Sequence, residues 1–389
     1  MRRFLRPMLQ AIRQQWHLLL LVSTIQIVGI AFIWSACSND PAWQDEDLHW
    51  TQLSRVLIAF SVMLVVMTVR YLRLGPYAYL LYGLALLGVL ATYVLGVDVN
   101  NSRRWIRVGG VQLQPSEFMK IGLILGLARY LQYKKDVATL RGLITPFALT
   151  AIPMFAVLKA PDLGTSLLLV PILLSMVYAS GGSTKHLRAL FLLALVALPI
   201  LYFGFLHGYQ RSRVDVWLNQ WVEQSDEERR EREQAEGYQL THAKIMVGSG
   251  GINGDGFGRG RVNRANLLPE KHTDFIFPVI AEEWGLLGSS LLIGLYGALI
   301  ASCLGIAYRV REPFGRLIVL GVTALFTSQV FINMGMSVGL LPITGLTLPF
   351  VSYGGTATLV AYLGIGLVLS VAVHHTPVVG GEDFRAAGV

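Results

Sequence analysis

The stretch His17-Leu-Leu-Leu-Leu-Val-Ser-Thr-Ile-Gln-Ile-Val-Gly-Ile-Ala-Phe-Ile-Trp-Ser-Ala36 decides the fold. As a helix rising about 1.5 Å per residue it matches a hydrocarbon core about 30 Å thick. The basic leader before it (Arg2, Arg3, Arg6, Arg13) also suits a secretory signal. The run is too long for one, however, and lacks a clear small-residue cleavage site, so it reads as a retained membrane helix. Similar apolar runs begin near Arg55, Tyr77, Glu117, Leu143, Leu163, Leu187, Leu286, Gly315 and Gly354. Composition agrees: of 389 residues 53% are hydrophobic and 14% charged, with a mean hydropathy of +0.53. Soluble domains are far more polar. The chain is therefore expected to be an all-α polytopic integral membrane protein of about ten transmembrane helices, forming a single membrane domain over 1–389.

Lys and Arg orient these helices, because short cytoplasmic loops carry the positive charge. Alternation puts inside the basic N-terminus (1–16), Arg70 and Arg73, Arg129 to Arg141, Lys185 and Arg188, Arg309 to Arg316, and the tail 375–389. Outside fall an acidic first loop (Asp40, Asp45, Glu46, Asp47) and a large extracytoplasmic loop, 207–272, between helices 7 and 8. Both termini are then cytoplasmic. Cys37 and Cys303 lie at opposite ends of the membrane, too far apart for a disulfide. The net charge of +8 reflects the inner loops, so no nucleic-acid partner is expected.

Several basic residues break the inside rule. Arg103, Arg104 and Arg107, and in the large loop Arg211, Arg213, Lys244, Arg259, Arg261, Arg264 and Lys271, all fall outside. Phosphate is one anionic reason, since guanidinium forks match its oxygens; solvated pairing with nearby acids is the other. The second reading suits 224–236, where Asp226/Arg230 and Glu228/Arg232 are i,i+4 pairs on a wet helix.

Polar residues at the outer membrane edge recur. Gln114-Pro-Ser-Glu-Phe-Met-Lys120 opens helix four with Glu117 and Lys120 on one face, a spacing that equally suits an ion pair pinning the helix. Asp162, in Lys159-Ala-Pro-Asp-Leu-Gly-Thr-Ser166, suits a helix N-cap. Asp274, in Pro269-Glu-Lys-His-Thr-Asp-Phe-Ile-Phe277, stands at the next membrane entry, followed by Glu282 and Glu283. At least one of these glutamates is expected to anchor a loop. The Pro and Gly spacing of Leu341-Pro-Ile-Thr-Gly-Leu-Thr-Leu-Pro-Phe-Val-Ser-Tyr-Gly-Gly355 forbids a continuous helix, and such backbone survives at membrane depth only inside protein or along a cavity. Together these elements predict one outward-facing mouth. The glycine-rich stretch 248–260 lacks the spacing of a nucleotide loop and reads as a flexible flap or lid. No metal-ligand spacing is present among the histidines and cysteines.

The blocks Arg104-Trp-Ile-Arg-Val-Gly-Gly110, Gln114 to Lys120, Pro161-Asp-Leu-Gly-Thr165, Leu268 to Phe277 with its trailing Glu-Glu-Trp-Gly285, and Pro342 to Gly355 resemble, in order, the SEDS family of bacterial shape, elongation, division and sporulation proteins. The segment from Asn333 to Pro342 is nearer the rod-shape (RodA) branch than the division (FtsW) branch. The resemblance implies a peptidoglycan glycosyltransferase that polymerises lipid II at the outer face of the bacterial cytoplasmic membrane. The implied partners are lipid II, a class B penicillin-binding transpeptidase and elongation-complex membrane proteins.

By the same resemblance Asp274 is the catalytic residue, while Lys120, Glu117, Asp162, Arg103, Arg104, His272, Glu283 and Ser352 are expected to bind substrate. No cofactor is obligatory on this reading, and a divalent cation (Mg or Mn) is the optional one. A lipid II flippase, a division-type polymerase and a non-catalytic scaffold are the rival readings. A carrier would hold its binding groups near the midplane instead of at one face.

Overall fold

The computed structural model describes residues 2–38, 47–99, 102–134, 136–204, 208–221 and 237–375. Most of the acidic first loop, the charged stretch 224–236 and the tail beyond 375 lie outside the described residues. All ten expected spans form helices: α1 (Arg2–Cys37), α2 (Leu48–Thr68), α3 (Ala78–Leu95, after a 3₁₀ segment Tyr71–Tyr77), α4 (Pro115–Leu131), α5 (Leu140–Lys159), α6 (Leu163–Ala179), α7 (Thr184–Gly204), then α11 (Ile276–Arg309), α12 (Pro313–Ser337) and α13 (Gly355–His374). Among the described residues, seven spans are long and apolar enough to cross a membrane by length and composition, and α6 is a shorter apolar helix.

The core is built from α4, α6, α12 and α13, whereas α2 and α3 turn Leu57, Ile58, Leu84 and Leu87 outward. Outward leucines on a membrane helix face lipid. Side chains cap some of the helix starts. Glu312 accepts from the amides of Phe314 and Gly315 at 2.9 and 2.6 Å to start α12, and Thr139 accepts from Gly142 at 3.1 Å to start α5.

Two features exceed the all-α expectation. Between α3 and α4 the chain forms a three-stranded antiparallel meander, β1 (Val97–Val99), β2 (Ser102–Val108) and β3 (Val111–Leu113). β1 and β3 have three residues each, and Arg103, Arg104 and Arg107 break any apolar alternation along β2. The large outer loop is itself partly helical, with α8 (Tyr209–Asn219), α9 (Tyr238–Ser249) and a single turn α10 (Arg261–Arg264).

The glycine-rich stretch is not a flexible flap. Its backbone is stitched to a break in α11: Asp255 and Gly256 donate to the carbonyls of Glu282 and Glu283 at 3.0 Å, and Leu286 donates back to Gly251 at 2.9 Å. Gly285 makes the break, with φ 62 and ψ −160, a region open essentially to glycine alone. Here glycine supplies close approach of two backbones instead of mobility. Both glutamates then fasten the plug. Glu282 accepts from the amides of Val262 and Asn263 at 2.6 and 3.1 Å, and Glu283 from the Gly258 amide at 2.8 Å, from Asn263 Nδ2 at 3.0 Å and from the Ser35 hydroxyl.

A Cβ at Gly285 would lie 2.4 Å from the amide nitrogen of Gly254, while one at Gly294, further along α11, would meet nothing within 4 Å. Gly285→Ala is accordingly expected to cost about 2 kcal/mol or more of stability, and Gly294→Ala close to none. Thermal unfolding of the detergent-purified variants checks this.

Candidate active site

The outer ends of β2, α4, α6, α8, α11 and α12 converge with the irregular segment 338–354, and each contributes a polar group. Pro115 starts α4, which sets Gln114 and Ser116 beside the N-terminus of α6. There Asp162 caps α6 by accepting from the Thr165 amide at 3.1 Å. Its other oxygen accepts from Ser116 Oγ and Gln114 Nε2, both at 2.8 Å. Burial pushes its carboxyl up, but the Arg104 guanidinium and these hydrogen bonds outweigh burial and hold it below the usual carboxylate range. Asp162 is both a cap and a fixed negative charge.

Asp274 lies between the turn at Glu270 and the start of α11. Asn333 of α12 donates through Nδ2 both to the Asp274 carbonyl at 2.9 Å and to the Leu346 carbonyl at 2.6 Å. A single buried amide therefore ties the aspartate to the 338–354 segment. The carboxyl of Asp274 is pushed up to about 6: burial is the largest cause, Arg104 and Arg213 oppose it, and the negative charges of Glu270 and Asp162 add to it. Two nearby carboxyls thus stand on opposite sides of their ordinary value, which separates a permanent charge from a proton acceptor poised near neutrality.

Arg213 on α8 donates to the Ile343 carbonyl at 3.2 Å. Gly345 holds the space between this guanidinium and Asp274. A Cβ there would stand 3.3 Å from Arg213 Nη1 and 3.4 Å from Asp274 Oδ2, and the residue has φ 71. Arg104 keeps its Nε buried without a hydrogen-bond partner. Such a donor is unusual inside a protein and suits an anionic ligand.

The pattern of the FtsW/RodA/SpoVE cell cycle protein family matches residues 15–377. The chain belongs to this family. It is 35% identical to the peptidoglycan glycosyltransferase MrdB of Escherichia coli K12 over 357 residues, covering 92% of this chain and 93% of that one. It is also 32% identical to a probable peptidoglycan glycosyltransferase FtsW of Geobacter sulfurreducens, with 92% and 94% covered. Among solved structures it resembles the rod shape determining protein RodA of Thermus thermophilus (TM-score 0.68, 30% identity, 92% and 97% covered). A chain from a peptidoglycan synthase complex, described for its coordination of polymerization and crosslinking, gives a TM-score of 0.77 at 30% identity and the same coverage. Membership makes this a multi-pass membrane protein.

The site of this family member gathers some of the residues singled out from sequence and gives others different partners. Asp274, Asp162 and Arg104 interact electrostatically. Lys120 is 1% exposed and its ammonium sits 2.8 Å from Glu117, so the two form a closed ion pair within α4. Glu283 belongs to the plug. Ser352 accepts from the Leu348 amide at 2.7 Å, and the His272 carbonyl accepts from the Tyr353 amide at 2.9 Å, so both hold the 338–354 segment in place. Arg103 lies on β2, and its side chain is outside what is described. Most of the remaining outer cations have partners within the fold: Arg261 with Asp255, Arg264 and Lys271 with the carbonyls of Gly258 and Asn263, Lys244 with Gln220, and Arg211 over the ring of Tyr202.

From sequence Arg213 stands out only as one of several outer cations, and Gln114, Ser116, Asn333 and Gly345 do not stand out as site residues. A signal existed for Asn333: Gln329, Asn333 and Ser337 repeat every four residues through an apolar helix, and all three are buried. The oxygens of Asp162 are occupied by protein donors, Asp274 already faces two guanidinium groups, and among the described residues no cluster of three metal-ligating side chains forms.

Gly345→Ala would press a methyl between Arg213 and Asp274 and strain a left-handed backbone by about 1 to 3 kcal/mol. Catalytic turnover is expected to fall at least about tenfold with the elution profile of the folded protein unchanged, as read by enzyme assay beside size-exclusion chromatography.

Proposed function

We propose that this protein is a peptidoglycan glycosyltransferase that polymerises lipid II at the outer face of the bacterial cytoplasmic membrane, with Asp274 as general base. The observation that carries the proposal is a carboxyl raised to about 6 between two arginines, beside a second carboxyl held ionised. Names of relatives at 35% and 32% identity support the reaction class, and the likeness to a rod shape determining protein supports a role in cell shape.

In the proposed reaction the 4-hydroxyl of the acceptor GlcNAc attacks C1 of the donor MurNAc. The O–C1 bond forms as the bond from C1 to the pyrophosphate oxygen breaks, with inversion. Asp274 takes the hydroxyl proton, and the polyprenyl pyrophosphate leaves with the electron pair. Arg104 and Arg213 offset the charge that grows on it, and such preorganised electrostatics is commonly the largest catalytic contribution. The Glu117–Lys120 pair acts earlier, by fixing the start of α4 that presents Gln114 and Ser116 to Asp162. A class B penicillin-binding transpeptidase is the proposed partner, supported by the complex of polymerization and crosslinking among the structural relatives. A flippase role is the rival, and micelles, where transport has no meaning, separate the two.

Purified protein incubated in detergent with fluorescent lipid II, with and without a class B partner, should give a glycan ladder on a gel. Asp274→Asn should abolish the ladder while lipid II is still bound. Binding without a ladder in the wild type, partner present, would favour the flippase. Because the base works as carboxylate, its active fraction grows as pH rises through about 6; the initial rate should climb across that window and level off above it. Arg213→Gln should lower turnover by about 10²- to 10³-fold. Lys120→Met leaves Glu117 buried and unpaired, at a cost of about 3 to 5 kcal/mol, so its folded yield should drop. The Glu117→Gln/Lys120→Met double variant should recover that yield.

A further inference from the structure

At the end of the bundle opposite Asp274, α1 breaks at Gln15 (φ −124, ψ 25) where it packs beside the last turns of α11. A cavity of about 320 Å³ opens there, lined by Gln15, His17, Ser302, Gly305 and Arg309 among others. We propose that this cavity binds the headgroup of an anionic glycerophospholipid, phosphatidylglycerol in type, from the inner leaflet.

Four observations converge on that ligand. Gln15 is only 6% exposed, yet its Oε1 has no hydrogen-bond partner. A buried acceptor without a donor is costly, and the cavity is about ten times the roughly 30 Å³ share of one water. Arg309 is exposed, and among the described residues no carboxylate pairs with it. Trp16 and Tyr308, next to the site on each helix, are 60% and 92% exposed, as aromatic residues are at headgroup depth. Finally, the chain preceding the kink carries Arg2, Arg3, Arg6 and Arg13, with no acidic residue before Asp40.

The chemistry of the lining selects the headgroup. Arg309 presents a fork that matches phosphate oxygens, and His17 adds a ring nitrogen. A glycerol headgroup carries no charge beyond its phosphate, whereas choline and ethanolamine each add a cation. The surrounding positive charge disfavours an ammonium in that place. Basic pockets between membrane helices on the cytoplasmic side are recurrent headgroup sites. Arg309 also complements the C-terminal dipole of α11, but that leaves the buried, unpartnered Gln15 Oε1 beside the cavity unexplained.

Native mass spectrometry of the full-length protein, titrated with dioleoyl phosphatidylglycerol, phosphatidylethanolamine or phosphatidylcholine, tests the proposal without reference to polymerase activity. Phosphatidylglycerol should bind about five- to tenfold more tightly than either other lipid. Arg309→Gln should lose about that factor, and Gln15→Leu, which removes a polar lining side chain, should weaken phosphatidylglycerol binding while the protein remains folded. Equal binding of all three lipids, or both variants indistinguishable from wild type, would overturn it. Phosphatidylethanolamine binding as tightly as phosphatidylglycerol would overturn the anionic assignment. Displacement of the lipid by excess inorganic phosphate, with the same thermal stabilisation, would assign the cavity to free phosphate instead.

Discussion

Backbone that leaves a helix at membrane depth must find its hydrogen bonds inside the protein, and the outer half of this molecule is organised by that requirement. The segment 338–354 has no regular structure, so neighbouring helices satisfy it: Gln52 accepts from the Gly354 amide, Gln329 and Asn333 donate to the carbonyls of Thr347 and Leu346, and Tyr296 donates to that of Pro349. Each of these side chains is buried in an otherwise apolar helix. The polar groups that support the segment also fix what lies over it, including the carbonyl of Asp274.

The second determinant is how one guanidinium acts on two carboxyls. Arg104 lowers both Asp162 and Asp274, and burial raises both. The difference lies in hydrogen bonding. Asp162 is met by two side-chain donors and one amide, which favour its charged form, while Asp274 feels additional negative charge from Glu270 and from Asp162 itself. A fully satisfied carboxylate therefore helps to keep its neighbour basic, and the two residues form one electrostatic unit.

Much of this was legible in the sequence, because hydrophobic runs the length of a bilayer leave few alternatives. The ten spans and the convergence of Asp274, Asp162 and Arg104 follow from run length, loop charge and motif placement. Function at the level of glycosyl transfer came from the resemblance of motifs, since residues alone support only an outward site for a phosphate-bearing lipid. What stayed hidden depends on contacts distant in the chain. Nothing local distinguishes Arg213 from Arg211, yet one stands by Asp274 and the other stacks on Tyr202. Nor does glycine content tell a hinge from a close approach: the stretch 248–260 reads as mobile until Gly285 is seen pressed against it.

The double grip of Asn333 has a mechanical consequence. Because one side-chain amide holds both Asp274 and Leu346, Asp274 and the Gly345 gap are tethered to α12, whereas Arg104 is carried by a separate strand that packs against α3 and α4. A tilt of α12 against that strand would leave the acceptor's own surroundings intact and change its distance from the cation opposite. The proposed catalytic centre thus draws on two separate elements, and a protein bound on the outer surface that changed their spacing would change its output.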